Sequence, residues 1–323
     1  MIRTGARTLA AILLSSWLST MAFATDFPTQ RITMITPFPA GGANDTLARL
    51  LANHMSDTLG EDVVVENRAG ASTTIGALQA MRAEPDGYTI FLATNTTLVT
   101  NRYLFKNLSY DPDAFAPIGM IGTSPLVLLS TLQDNFRSVD DIIAAALARP
   151  GSLSIASFGT GTSSHLAAEY FQRRADIQLL HVPFKGSNHA LPQLVSGSID
   201  LFFDMVATGM PLADAGKVNV HAITSAHRMP SLPDLPTMAE SGFPGFEMTA
   251  WFTLVAPPGT SIDITGKLAL ALDTAVRDEA MRQHMLHMGI EPAEGTPRAL
   301  TRQIERELPI IQSLVELAGI TVQ

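Results

Sequence analysis

The sequence predicts an α/β protein built as two lobes with mostly parallel sheets flanked by helices, and three observations predict it. Short apolar runs alternate with apolar repeats at helical spacing, which implies parallel strands joined by right-handed crossovers. That alternation begins afresh near Pro125, so the rhythm occurs twice. A chain of 323 residues with 46% hydrophobic content also exceeds what one ordinary core holds.

In the first run, Ile32–Pro37 reads as a buried strand, and Leu47, Leu50, Leu51, Met55 and Leu59 then repeat at helical spacing until Gly60. Asp62–Glu66 is the next strand, Ser72–Arg82 a short helix, Asp86-Gly87 a turn and Tyr88–Ala93 a third strand. The second run opens with the strand Leu126–Ser130. Ser138-Val-Asp-Asp141 starts a helix with a pattern like a capping box, closed by Arg149-Pro150-Gly151. Leu153–Ser157 is a strand, Ser163–Arg174 a helix, Leu179–Val182 a strand, His189–Val195 a helix and Asp200–Phe203 a strand. Proline and glycine break any regular element between Met229 and Phe246, after which WFTLVAPPGT reads as a strand returning to the first lobe. Of two long helical patterns that finish the chain, one carries Leu268, Leu272 and Val276. The other has Pro297 just inside Thr296 and should be kinked or divided at Pro309. The inserted order implies a hinge and a cleft: residues 1–24 as a leader, 25–123 plus 251–323 as one lobe, and 124–250 as the other, with crossings near 123 and 250.

The first 24 residues place Arg3 and Arg7 before an apolar run from Leu9 to Leu18 and end in Ala22-Phe23-Ala24. This is the pattern of a secretory signal cleaved after Ala24, and Ser15, Ser16 and Ser19 shorten the run below a membrane span. The reading puts the protein in the periplasm. No cysteine occurs, so an oxidising compartment makes no demand on the chain. Without the two leader arginines the chain holds 19 basic against 30 acidic residues, a net of −11. Nucleic acid is thereby disfavoured as a partner, since neutralising phosphates needs a basic face. An anionic ligand would have to be captured by local dipoles against the long-range field.

Two loops fit that requirement. Ala40-Gly41-Gly42-Ala43-Asn44-Asp45 follows the first strand and opens a helix, whose unpaired N–H groups carry partial positive charge. Neighbouring glycines let a carboxylate or phosphate approach the backbone. The same loop also reads as a tight turn capped by Asn44 or Asp45. In the second lobe, Ser157 to His165 likewise joins a strand to a helix through Gly159-Thr160-Gly161-Thr162-Ser163. One such loop per lobe, each at the carboxyl end of an early strand, lies where open α/β sheets bind ligands. Asn95, Thr96 and Thr97 follow the third strand and add neutral donors. Lys185 follows a second-lobe strand and reads either as solvated or as facing the cleft, while Asp204 suits either a ligand hydroxyl or amine or a helix cap.

Enzymatic and metal signatures are missing. There is no Walker loop, no Gly-x-Gly-x-x-Gly, no Gly-x-Ser-x-Gly elbow and no cysteine nucleophile. His165, His181 and His189 lie on separate segments, and His284 and His287 have no acidic or thiol partner at ligand spacing. No cofactor and no metal is expected.

Several stretches in order, PFPAGGANDTLAR, VVVENRAGA with IGA, PDGYT, GTGTSSHLAAE, HVPFKG, SGSIDLFFD, LPDLPTMAESGFPGFE and APPGT, together cover nearly all of the chain after the leader. They resemble the extracytoplasmic solute receptors of tripartite tricarboxylate transporters, the family named for Bordetella uptake genes. The resemblance implies a two-lobed type II periplasmic-binding-protein fold of the Venus flytrap kind. It implies delivery of a small carboxylate or related molecule to a membrane permease, with no chemical step, by a monomer. Carried over, the implied binding residues are Phe38, Ala40, Gly41, Gly42 and Asp45, then Thr94, Asn95 and Thr96. In the second lobe they are Gly159, Thr160, Thr162 and Ser163, with Lys185 near the rim and Asp204 on the far side of the ligand. Departures from the family pattern are Ala69 for proline, Ser72-Thr73 for a glycine pair, and Phe184 where tyrosine is frequent. Two other readings remain: a sensor presenting its closed form to a membrane kinase, and a secreted hydrolase using Ser163 or Thr162 with His165.

Overall fold

The computed structural model describes residues 27–320; the leader and its cleavage site at Ala24 lie outside them. The first sheet starts with β1 (Ile32–Thr36), β2 (Val63–Asn67) and β3 (Thr89–Thr94), where β1 pairs in parallel with both neighbours. Helix α1 (Ala43–Leu59) joins β1 to β2 and ends where Gly60 takes φ 73°, a left-handed angle suited to a residue without a Cβ. Its Leu47, Leu51 and Met55 are fully buried, as the helical spacing requires. Helix α2 (Thr74–Met81) joins β2 to β3. A π-helical turn at Thr96–Thr100 then runs into the short α3 (Asn101–Leu104).

The strand expected at Leu126 begins ten residues earlier. β4 spans Ala116–Ser130, and its two parts serve different sheets. Ala116–Pro125 pair antiparallel with β9 (Thr249–Ala256), whereas Leu126–Ser130 pair antiparallel with β7 (Leu201–Met205) and β8 (Asn219–Ile223). The second sheet continues from β7 to β5 (Ser154–Ser157) and β6 (Leu180–Pro183), in parallel. The expected parallel pairing therefore holds inside each run of βα units, and the crossing strands β4 and β9 add the antiparallel pairs. β9 closes the first sheet against β3, and Glu291–Pro292 forms the short β10 on β4.

Around the second sheet lie α4 (Val139–Ala148), α5 (Ser163–Ala175), α6 (Ser187–Val195) and α7 (Val206–Asp214). The last two begin earlier than, or were absent from, the sequence expectation. The chain ends with α8 (Ile262–Arg277), α9 (Glu279–His287) and α10 (Pro297–Ala318). Contrary to expectation, α10 is not divided at Pro309. Proline removes the bond to the carbonyl of Glu305, but both residues lie on the exposed side, where water can serve that carbonyl. Trp251, Phe91, Phe202 and Phe203 are among the largest fully buried side chains, all on strands of the two sheets.

Candidate ligand-binding site

A cavity lies between the loops that follow the strands of the two sheets. Its wall includes Phe38, Phe158, Met205 and Phe252 on the apolar side and Asn44, Thr94, Thr162 and Ser187 on the polar side. Among the described residues no acidic or basic side chain lines it.

The ends of four helices meet there. Gly42, Thr162, Gly186 and Met205 are the residues immediately before α1, α5, α6 and α7, and all four line the cavity. None of these four starts is capped by a side chain. Of the other helices, α4, α8, α9 and α10 are capped by Ser138, Ser261, Asp278 and Thr296, each accepting a bond from a first-turn amide, whereas α2 and the short α3 are not. The opening amides of a helix have no intrahelical acceptor, so uncapped starts leave donors for something else. Each end favours a negative charge by ~0.3–1 kcal/mol, and up to ~2 kcal/mol where partly buried.

Two side-chain donors are also unspent. Asn44 is 7% exposed, and its Oδ1 accepts from Thr36 Oγ1, which leaves Nδ2 without a partner. Thr94 Oγ1 is likewise buried and unpaired. Neither has an acceptor among the described residues, and both residues line the cavity. A buried donor without an acceptor is costly, so a ligand oxygen at this position would be stabilising.

The expected site residues divide into three groups. Phe38, Gly42, Thr94, Asn95, Thr96, Thr162 and Ser163 line the main cavity. Gly159, Thr160 and Lys185 instead line an adjoining cavity with Ser72, Thr73 and Phe184, and Phe38, Phe158 and Thr162 border both. Lys185 is exposed, in keeping with a place at the rim. Ala40, Gly41, Asp45 and Asp204 line neither cavity.

Those last residues support the site from behind. The Asp45 carboxylate accepts from Gly41 N (3.0 Å), Asn67 Nδ2 (2.9 Å) and Arg49, which fixes the turn ahead of α1. Burial raises its pKa, but the bonds from Arg49, Gly41 and Asn67 outweigh burial and hold it below the usual carboxylate range. Asp204 is fully buried and accepts from Ser187 Oγ (2.5 Å) and Thr208 Oγ1 (2.8 Å), so it orients the start of α6 rather than facing the cavity. Burial pushes its pKa up to about 7. Asn95 spends its amide on Thr249 O and Glu307 and its Oδ1 on Thr96 N, so the side chain braces the π-helical turn.

Sequence reasoning missed Ser187, Asn188, Met205, Ala250 and Phe252, which also line the cavity. Gly186-Ser187-Asn188 held a legible signal, because these residue types favour helix starts. Phe252 and Ala250 carried none, since only the return of β9 beside β3 brings them to the cavity.

The histidines do not form a catalytic pair with the loop hydroxyls. His165 Nδ1 accepts from Gly161 N (3.0 Å), and its Nε2 faces Glu169 at 3.6 Å. Neither ring nitrogen is left for Thr162 or Ser163. The ring stacks on His181 with centroids 3.8 Å apart, and His181 Nε2 bonds Ser157 Oγ at 2.7 Å. Burial first, and His165 second, push the His181 pKa down to about 4. The pair braces the loop ahead of α5. Among the described residues no metal-binding cluster of His, Cys, Asp or Glu occurs.

Residues 47–319 match the model of the tripartite tricarboxylate transporter family receptors. The chain belongs to this family. It is a solute-binding receptor of that family and not an enzyme, and the hydrolase reading is set aside. A relative from Pseudomonas sp., a UPF0065 protein in the tcbD-tcbE intergenic region, is 38% identical over 96% of this chain and 93% of its own. Among solved structures, R. palustris Rpa4515 with adipate is 34% identical with a TM-score of 0.89, covering 91% of this chain and 99% of that one. The periplasmic binding protein BugD is 35% identical with a TM-score of 0.88, covering 92% of this receptor and 100% of its own chain.

Proposed function

We propose that this receptor is exported to the periplasm, closes two lobes on a small organic acid and delivers it, as a monomer, to a membrane permease of the tripartite tricarboxylate type. One observation carries the reading: four uncapped helix starts border a single cavity without charged side chains. Such a site grips an anion with dipoles and amide donors, and charge-assisted bonds add ~1.5–3 kcal/mol each. A negative net charge is then no obstacle once the acid has arrived. The adipate in the Rpa4515 structure gives the acid class independent support. In this reading residues 25–123 with 251–323 form one lobe and 124–250 the other. The division of β4 between β9 and the β7–β8 pair supports crossings near 123 and 250.

A thermal-shift screen over small acids and their uncharged amides tests the reading. An acid present at 100 times its dissociation constant should stabilise the fold by ~2.7 kcal/mol, whereas the matching amide should do far less. Equal stabilisation by acid and amide would contradict capture through positive helix ends. Export is tested by the amino-terminal residue of the secreted chain, which should be Thr25.

A further inference from the structure

We propose that Ser72 is a positioning residue that latches the two lobes together and so sets affinity from outside the main cavity; the proposal rests on the receptor reading above. Ser72 Oγ donates to Thr160 O at 2.6 Å, joining the loop ahead of α2 to the loop ahead of α5. The first loop belongs to the β1–β3 side of the cleft and the second to the β5–β7 side. Ser72 does not line the main cavity.

The backbone around it is held in an unusual shape. Ala71, Ser72 and Thr73 have φ of 45°, 50° and 73°, a run of left-handed residues that each carry a Cβ. Such a run persists only where its surroundings hold it. Asn101 Nδ2 donates to Ser72 O at 2.8 Å, and Thr97 Oγ1 donates to Thr73 Oγ1 at 2.9 Å. Both anchors come from the segment after β3, so the loop is fixed to its own lobe and extends one hydroxyl to the other. Glycine at position 72 would adopt this backbone with less strain, but it would have no hydroxyl to extend.

Two further contacts cross the cleft. Asn188 Nδ2 donates to Ala40 O at 2.8 Å. Leu104 abuts Gly161 so closely that a Cβ there would lie 1.9 Å from Leu104 Cδ1. A bond made only when the lobes meet favours the closed form, and apparent affinity scales with the fraction of closed, binding-competent protein. Because Ser72 stands outside the main cavity, the latch acts on every acid by one common factor.

The test compares Ser72→Ala with the wild type, using adipate and succinate as probes. The dissociation constants for both should rise by the same factor, about three- to tenfold for one lost hydrogen bond. Small-angle scattering of the ligand-free variant should give a larger radius of gyration. Ser72→Gly relaxes the backbone while removing the same hydroxyl, so it guards against misfolding and should reproduce the common factor. Unchanged affinities, or factors that differ between the two acids, would overturn the latch. If neither probe binds the wild type, the acid reading is what fails for these probes. Ligand-free scattering then decides the latch, and equal radii for variant and wild type would overturn it.

Discussion

Helix starts at the cavity and most helix starts elsewhere are built differently; away from it α2, at Thr73, and α3, which continues the π-helical turn, also lack a side-chain cap. At the periphery, Ser138, Ser261, Asp278 and Thr296 spend a side-chain oxygen on a first-turn amide. At the cavity, Gly42, Thr162, Gly186 and Met205 do not. An absent cap costs up to ~1 kcal/mol of stability, and about a few tenths where glycine holds the cap position, as Gly42 and Gly186 do, so the four together are a real loss in a marginally stable fold. Under the proposed function, the difference means that these donors are reserved for a ligand and that stability is given up where binding needs it.

The largest expected effect comes from deleting one reserved donor without disturbing its helix. Proline is tolerated at the first helical position, where its missing N–H has no intrahelical role. Ala43→Pro at the start of α1 should weaken acid binding by ~1.5–3 kcal/mol, roughly 10- to 150-fold, measured by calorimetric titration. Ile262→Pro makes the same change at the capped start of α8, where Ile262 is 85% exposed, and should leave affinity unchanged. Equal losses at both positions would erase the distinction between the two kinds of start.

A second cut falls on the support behind α6. The Asp204 pKa, raised from 3.8 to about 7 by burial, means that the folded state holds this proton more tightly than the unfolded state does. Its contribution is therefore full below pH 4 and is lost as pH rises towards 7, by at most ~1.4 kcal/mol per pH unit. Asp204→Asn should flatten that part of the stability curve in thermal or urea unfolding. His181 and His221, both pushed down to about 4 by burial, act with the opposite sign as pH falls below 6.5. They are common to both proteins and cancel in the difference.

The smallest effect is the mirror image of the first. Ser138→Ala removes a true cap from α4 and should cost ~1 kcal/mol in urea unfolding while leaving the dissociation constant unaltered.

Much of this organisation was legible in the sequence, because local pattern and tertiary structure agree along the βα units. The α1 repeat ending at Gly60 and the capping residues Ser138 and Thr296 needed no tertiary information. The first part of β4 was not legible, since PIGMIGTSP has the glycine, serine and proline of a loop. It is held extended by its pairing with β9, which is remote in sequence. The site was partly legible for the same reason. Its Gly42 and Thr162 ends follow strands directly, whereas Ala250 and Phe252 arrive only through that remote pairing. Asp45 and Asp204 looked like recognition groups because composition gives no sign of which way a carboxylate turns. Their hydrogen bonds to Gly41 and Ser187 show them orienting the amides instead.

The central claim is that backbone amides at these helix starts hold the acid directly. Its most direct test is the amide proton shifts of Ala43, Ser163 and Ser187, followed by nuclear magnetic resonance while titrating an acid that raises the melting temperature. All three should move downfield together and saturate with the binding curve, while Ile262 and Val139 at capped starts stay still. Saturable binding that leaves the three cavity amides unmoved would contradict the account.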